Sequence, residues 1–291
     1  MDKLICIVGL TSSGKSSLGI ELAKIFNGEI VSADSRQVYR GLDWCSGKVT
    51  KNEQEEVVHH LIDVQDLGNQ FTLYDFQKMA YKAIDDILQE GKIPFLVGGT
   101  GLYSRAVVEG YNLVKNEPDL ELRKELENLS LEDLIDRCKK ENLVVGDEEN
   151  KRRLIRILEK AGENQRENTP RYNVLQIGIK WERAEIYERI RVRLENRMPN
   201  MIKEIEHLLA AGVSKDFLYT LGLEAKYVCW YLDGKFNSYE EFFEELFKEE
   251  RHFAKRQQTW YNKEKNIIWL DAKGNLLENA KILIDKFLKN N

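Results

Sequence analysis

Gly9-Leu10-Thr11-Ser12-Ser13-Gly14-Lys15-Ser16 fits the pattern G-x-x-x-x-G-K-[ST] of a phosphate-binding loop. Its surroundings are those the loop requires. Before it, Leu4-Ile5-Cys6-Ile7-Val8 is an unbroken apolar run of buried-strand type, and after it Leu18, Leu22, Ile25 and Phe26 recur at helical spacing. Strand, loop and helix follow in order. In such a loop the glycines let successive N–H groups converge on phosphate oxygens at a helix N-terminus, and Lys15 adds a point charge. The Ser16 hydroxyl is the candidate ligand for Mg²⁺.

Outward from the loop, strands and helices alternate. Glu29 to Ala33 is a second short strand that delivers Asp34-Ser35-Arg36-Gln37 at its C-terminal end, where ligands gather in open α/β sheets. Asp34 is therefore expected to face whatever the loop holds. Residues 43–57 lack a clean period and suggest a loop or lid, and His59 to Val64 suggests a strand. Phe76, Met79, Ala80, Ala83, Ile84 and Ile87 trace a helix stripe closed by Gly91. The next strand, Phe95-Leu96-Val97, ends in Gly98-Gly99-Thr100-Gly101-Leu102-Tyr103, which brings backbone and the Thr100 hydroxyl near the same ligand.

This alternation predicts an α/β fold, a phosphate-loop doubly wound parallel sheet. Residues 1–181 are expected to form the core, with a short helical segment at about 113–170. Val174 to Ile179 and Ile267 to Leu270 look like further strands of that sheet, so 182–262 is predicted to be a mostly helical insertion and 263–291 a return to the core.

Hydrophobic residues make up 42% of the chain and aromatics 10%, which places it among globular proteins. The formal net charge of −5 does not announce a nucleic-acid binder, so any such role rests on local patches. Three basic patches stand in the later half: Lys151, Arg152, Arg153 and Arg156; Arg189, Arg191, Arg193 and Arg197; and Arg251, His252, Lys255 and Arg256 beside Trp260 and Tyr261. Basic groups interleaved with aromatics suit a phosphate backbone and stacked bases, while nearby glutamates equally suit solvated, ion-paired helix faces. Cysteines 6, 45, 138 and 229 form no C-x-x-C pair, so buried thiols in a reducing compartment are expected and no zinc is implied. No run approaches the length of a membrane span, and a cytoplasmic protein without membrane association is the expectation.

With these residues in place, the chain resembles the tRNA dimethylallyltransferases, or tRNA isopentenyltransferases. Their pattern is met at the phosphate loop, at Asp34-Ser35-Arg36-Gln37-Val38-Tyr39, at His59-His60-Leu61-Ile62-Asp63, at Gly98 to Tyr103, and at Ala254-Lys255-Arg256-Gln257-Gln258-Thr259-Trp260. The resemblance implies that Gly9 to Ser16 bind the diphosphate of dimethylallyl diphosphate. It implies that the acceptor is the N6 amine of the adenosine 3′ of the anticodon in a tRNA anticodon stem-loop. Asp34 would be general base, and Lys15, Thr100 and Arg193 would stabilise the leaving group with Mg²⁺ on Ser16. Arg189 and Arg191 are rivals of Arg193 because the register is open. Contacts to tRNA would come from Asp34, Ser35, Arg36, Gln37, Thr100, Arg123, Arg152, Arg153, Arg156, Lys255, Arg256, Gln257, Thr259, Trp260 and Tyr261. His59 and His60 are expected to support structure, and the enzyme is expected to be a monomer.

The chain departs from the family pattern at Leu42 to Lys48, and at Gly222-Leu223-Glu224-Ala225, where the family carries Gly-Tyr-Lys-Glu. Asn262 stands where a basic residue is usual. Rival readings are an adenylate isopentenyltransferase, a phosphate-loop kinase of nucleotides or metabolites, and a non-catalytic RNA-binding module.

Overall fold

The computed structural model describes residues 1–113, 120–143, 145, 149–159 and 168–290. In chain order the elements are β1 (Lys3–Gly9), α1 (Lys15–Ile25), β2 (Gly28–Ser32), α2 (Lys51–Glu56), β3 (His59–His60), α3 (Leu73–Gln89), β4 (Ile93–Gly98) and α4 (Gly101–Val108). There follow α5 (Leu120–Asn128), α6 (Leu131–Lys140), α7 (Lys151–Glu159), β5 (Asn173–Lys180), α8 (Arg183–Ala210), α9 (Lys215–Thr220), α10 (Leu223–Leu232), α11 (Tyr239–Tyr261), β6 (Ile267–Asp271) and α12 (Leu276–Lys289).

The strands form one parallel sheet in the order β3-β2-β4-β1-β5-β6. Helices cover both of its faces, which is why the central strands are apolar throughout rather than alternating. Along β1, Ile5 and Ile7 pack with Leu18 and Leu22 of α1 and Ala280 and Ile284 of α12. Leu4, Cys6 and Val8 face the other way, into a cluster with Phe76 and Ile84 of α3 and Val107 of α4. The order of strands reverses at β1, between β4 and β5. A crevice at the C-terminal ends of these strands is where a doubly wound sheet binds its ligand.

Two expectations need correction. The strand foreseen over His59 to Val64 stops after two residues, because Leu61 and Asp63 take left-handed conformations with φ of 63° and 54°. Asp63 and Val64 then pair their N–H groups with the carbonyls of Gln37 and Val38 at 3.1 and 2.9 Å. Within the expected loop at 43–57 lies α2, started by a capping box in which Thr50 and Glu53 bond each other's backbone N–H.

The helical stretch 182–262 does not stand apart from the core. Ile186, Ile190 and Leu194 of α8, Val228 of α10, and Phe242, Leu246 and Ala254 of α11 join the same apolar cluster as Leu4 and Cys6 of β1. The chain divides elsewhere, into one unit of Met1–Tyr111 with Thr169–Asn291 and another of Asn112–Asn168. The smaller unit has its own core, in which Leu154, Ile155 and Leu158 of α7 meet Leu126 of α5 and Leu134 and Cys138 of α6. No helix among the described residues is long and apolar enough to cross a membrane. All four cysteines are free and buried.

Candidate functional site

The phosphate loop turns at Ser12, with φ of 60°, and at Gly14, with φ of 88°, the residue that caps α1. The turn is tight: a Cβ on Gly9 would stand 2.6 Å from Ser13 Oγ. The Ser13 N–H donates to Leu10 O at 3.2 Å, and the Thr11 N–H donates to Gln257 Oε1 at 2.8 Å. Those two donors are committed. The N–H groups left for an anion include those of the first turn of α1, which have no acceptor within the helix. The Ser12 and Ser13 hydroxyls are buried without a hydrogen-bond partner, as expected of a cradle built for a polar guest.

In front of the loop lies a cavity of about 570 Å³, lined by Ser12, Lys15, Ser16, Gly47, Arg189 and Arg193 among others. Helix α8 presents its arginines to this cavity by helical phase. Arg189, Arg193 and Arg197, four residues apart, share one face. Arg189 Nε donates to Ser12 O at 2.8 Å, with its guanidinium 4.5 Å from the centre of the Trp181 ring. Arg193 donates to Thr11 Oγ1 at 3.1 Å and to Gly47 O at 3.3 Å. Arg191 points away, to Glu244 at 2.8 Å and over the Phe247 ring. Arg189 and Arg193 therefore face the loop, and Arg191 faces α11.

Burial pulls the Lys15 ammonium down to about 8, opposed by the charge of Asp34 and aided by that of Arg193. Its unfolded counterpart titrates near 10.5, so between pH 8 and 10.5 the unfolded chain binds more protons and folding stability rises with pH. Lys15→Met is accordingly expected to raise the urea midpoint below pH 8, by a margin that shrinks as pH climbs toward 10.5. A margin constant from pH 7 to 10 would show that Lys15 is not desolvated.

Asp34 stands just beyond β2, its Oδ1 accepting the Arg36 N–H at 2.9 Å. Thr100, just beyond β4, accepts the Ser35 N–H at 3.1 Å through Oγ1. The two strand ends press together at Gly98, where any Cβ would collide with the Ala33 carbonyl. Gly99 has a different neighbour: a Cβ there would meet the Lys15 side chain at 3.2 Å. Asp34, Thr100 and Lys15 thus converge from three strand ends on one crevice.

Three residues expected on tRNA are turned inward instead. Gln37 is buried, accepts from Ser32 Oγ and donates to Gly47 O, both at 3.3 Å. Gln257 is buried between the phosphate loop and Gly99 O, to which it donates at 2.9 Å. Tyr261 is only 2% exposed, edge-on to Trp269. Helical phase explains the split within α11, because Ala254, Gln257 and Tyr261 share the inner face while Lys255, Arg256 and Thr259 are exposed. Trp260 lies partly buried against Gly101, its indole N–H without a partner, and Ser35 and Arg36 are half-buried beside Asp34.

In the smaller unit, Arg123 is held by Glu159 through two bonds of 2.6 and 2.9 Å, and Arg156 shares that carboxylate at 3.1 Å. Arg152 and Arg153 have exposed side chains. His59 and His60 brace the sheet edge: His60 Nε2 lies 2.6 Å from Glu29 Oε2, and His59 Nδ1 lies 2.7 Å from Val57 O.

Two further groups hold the cavity wall, Glu204, which the sequence did not single out, and Arg197, which it marked only as part of a basic patch. Glu204 of α8 accepts the successive N–H groups of Asp43, Trp44 and Cys45 at 2.6, 2.7 and 2.9 Å. Arg197 donates to the carbonyls of Trp44 and Cys45. Together they clamp the loop that forms one wall of the cavity. The only sequence signal was the four-residue spacing of Arg193 and Arg197.

Comparison with known proteins bears on this geometry. The family model described as IPP transferase matches residues 37–264, and the one described as isopentenyl transferase matches residues 2–71. The tRNA dimethylallyltransferase 2 of Citrifermentans bemidjiense is 40% identical, over 98% of this chain and 96% of the relative. The tRNA dimethylallyltransferase of Streptococcus agalactiae is 41% identical, over 91% of this chain and 90% of its own. Among solved structures, the tRNA isopentenylpyrophosphate transferase of Bacillus halodurans superposes with a TM-score of 0.75 at 36% identity, covering 99% of this chain and 96% of that one.

Proposed function

This chain belongs to the tRNA dimethylallyltransferases, enzymes that transfer a prenyl group to tRNA, and we propose that its donor is dimethylallyl diphosphate and its acceptor the N6 amine of the adenosine 3′ of the anticodon. The observation that carries this reading is the convergence of a cationic phosphate cradle, Lys15 with Arg193, on a carboxylate, Asp34, held just beyond the end of β2.

An exocyclic adenine amine is a weak nucleophile. Its attack on the allylic carbon needs the breaking carbon–oxygen bond to be eased by stabilising charge on the departing diphosphate. Lys15, Arg193 and the first-turn N–H groups of α1 supply that stabilisation, and the Thr100 hydroxyl adds a donor. Asp34 accepts the proton that the amine sheds. To reach the crevice, the adenine leaves its stack, while exposed cations such as Lys255 and Arg256 hold the tRNA backbone.

Mg²⁺ fits the donor set: it is usually held by one or two protein oxygens together with substrate phosphates, and Ser16 lines the cavity, whose wall also includes the carboxylates Glu53 and Glu188. It would supply additional charge neutralisation on the diphosphate, with Ser16 as the protein ligand. The same reading places the enzyme in the cytoplasm as a monomer.

The test is transfer of labelled dimethylallyl diphosphate, with Mg²⁺, to three acceptors: an anticodon stem-loop with adenosine 3′ of the anticodon, the same loop with that base replaced, and AMP. Label on the first alone is expected. Label on AMP would move the protein to the free-nucleotide enzymes, and label on none would remove the donor assignment.

A further inference from the structure

One face of α8 holds the wall loop of the cavity at both of its poles. The successive N–H groups of Asp43, Trp44 and Cys45 form a concavity of the kind that binds anions, and the Glu204 carboxylate fills it. Its Oε2 accepts from Asp43 and Trp44, and its Oε1 from Cys45. The carbonyl pole belongs to Arg197, whose Nε donates to Trp44 O at 2.9 Å and whose Nη2 donates to Cys45 O at 3.1 Å. Glu204 lies two helical turns beyond Arg197, so both reach the loop from the same side. Arg197 also stands 3.7 Å from Glu224 of α10. The two departures from the family pattern, at Leu42 to Lys48 and at Gly222 to Ala225, therefore meet on this one guanidinium.

What the clamp presents to the cavity is Gly47. This residue takes φ of 57°, and its N–H donates to Trp44 O at 3.1 Å. Its carbonyl accepts from Arg193 Nη2 and from the buried Gln37, both at 3.3 Å. The approach is close, since a Cβ on Gly47 would collide with the end of the Arg193 guanidinium. The other end of that fork, Nη1, donates to Thr11 Oγ1 of the phosphate loop at 3.1 Å. Arg193 is thus strung between the loop that would hold the diphosphate and a wall that Glu204 holds.

We propose that Glu204 is a positioning residue for transfer: together with Arg197 it fixes the wall loop, so that Gly47 O holds the Arg193 guanidinium toward the departing diphosphate. The inference rests on the diphosphate reading above. A cation stabilises developing charge best when it needs no reorganisation, and a misplacement of about 1 Å can lower a rate by about 10²-fold. A carboxylate suits the task because its bonds to N–H groups are charge-assisted and roughly twice as strong as neutral ones. Glu204 acts through Gly47 and Arg193 alone.

The test is single-turnover transfer at saturating dimethylallyl diphosphate and anticodon stem-loop, with Mg²⁺. Glu204→Ala is expected to lower the rate by about 10–100-fold. The same substitution in Arg193→Ala should lower it by less than about twofold more, because the group that Glu204 positions is already gone. Glu204→Gln should recover part of the rate, since one amide oxygen can still accept the N–H groups of Asp43 and Trp44. Hydrogen exchange of the peptide spanning residues 43–45 should be faster in Glu204→Ala than in wild type. A role in packing alone predicts the same fold-loss with and without Arg193, and that result would overturn the proposal. So would a wild-type rate in Glu204→Ala, or unchanged exchange at residues 43–45. If Glu204→Ala fails to fold, Glu204→Gln runs through the same pair of backgrounds and decides the matter. Wild-type transfer by Arg193→Ala itself would instead overturn the diphosphate reading beneath.

Discussion

Asp34→Ala is expected to lower dimethylallyl transfer by about 10²–10⁴-fold, the usual range for loss of a positioned general base, while changing the tRNA dissociation constant little. The carboxylate stands at the end of β2, and one of its oxygens is already committed to the Arg36 N–H. A turn cap alone would explain that bond, so Asp34→Asn is the informative companion. Its amide oxygen can keep the 2.9 Å bond, but it cannot take up the proton of the amine. Loss of transfer in both variants, measured in single turnover, assigns the base role. Wild-type transfer in Asp34→Asn would reduce Asp34 to a structural cap.

Arg193→Ala is expected to lower transfer by about 10²–10³-fold, because one preorganised cation facing the leaving group is removed. Burial and the like charge of Arg197 make the Arg193 guanidinium less basic than usual, so the site already bears the cost of a desolvated cation. Arg193→Lys should recover little of the loss, since a single ammonium cannot reproduce the fork that spans Thr11 Oγ1 and Gly47 O. Arg191→Ala is the control two residues away. Its partner Glu244 lies on α11, and an exposed ion pair contributes about 0–1 kcal/mol, so transfer should stay within a few-fold of wild type. Equal losses in Arg191→Ala and Arg193→Ala would mean that α8 presents a different face to the substrate.

The fold was legible because its signals are local. The phosphate loop needs Gly9, Gly14 and Lys15 at fixed spacing, and both its neighbours declare their period within a dozen residues. The later strands at Val174 and Ile267 were legible for the same reason, as short apolar runs between helical patterns. His59 to Val64 misled because left-handed turns at Leu61 and Asp63 break an apparently extended run, and neither is a glycine to announce it. The helices α8 to α11, expected as an insertion, lay their apolar stripes into the sheet face that also receives α3 and α4, a partner that composition alone does not name.

By itself, then, the sequence determined the parallel sheet, the phosphate loop and the placing of Asp34 and Thr100 at strand ends, since each follows from short-range pattern and from the rule that strand ends gather ligands. Tertiary structure alone decided which arginine of α8 meets Thr11, that Gln37, Gln257 and Tyr261 turn inward, and that Glu224 comes to rest beside Arg197. Those outcomes depend on the rotational phase of a helix against partners far off in the chain. Arg193 and Thr11 are 182 positions apart, and Gln257 and Thr11 are 246. A helix turns about 100° per residue, so a side chain's neighbours are fixed only when packing has chosen which face is buried.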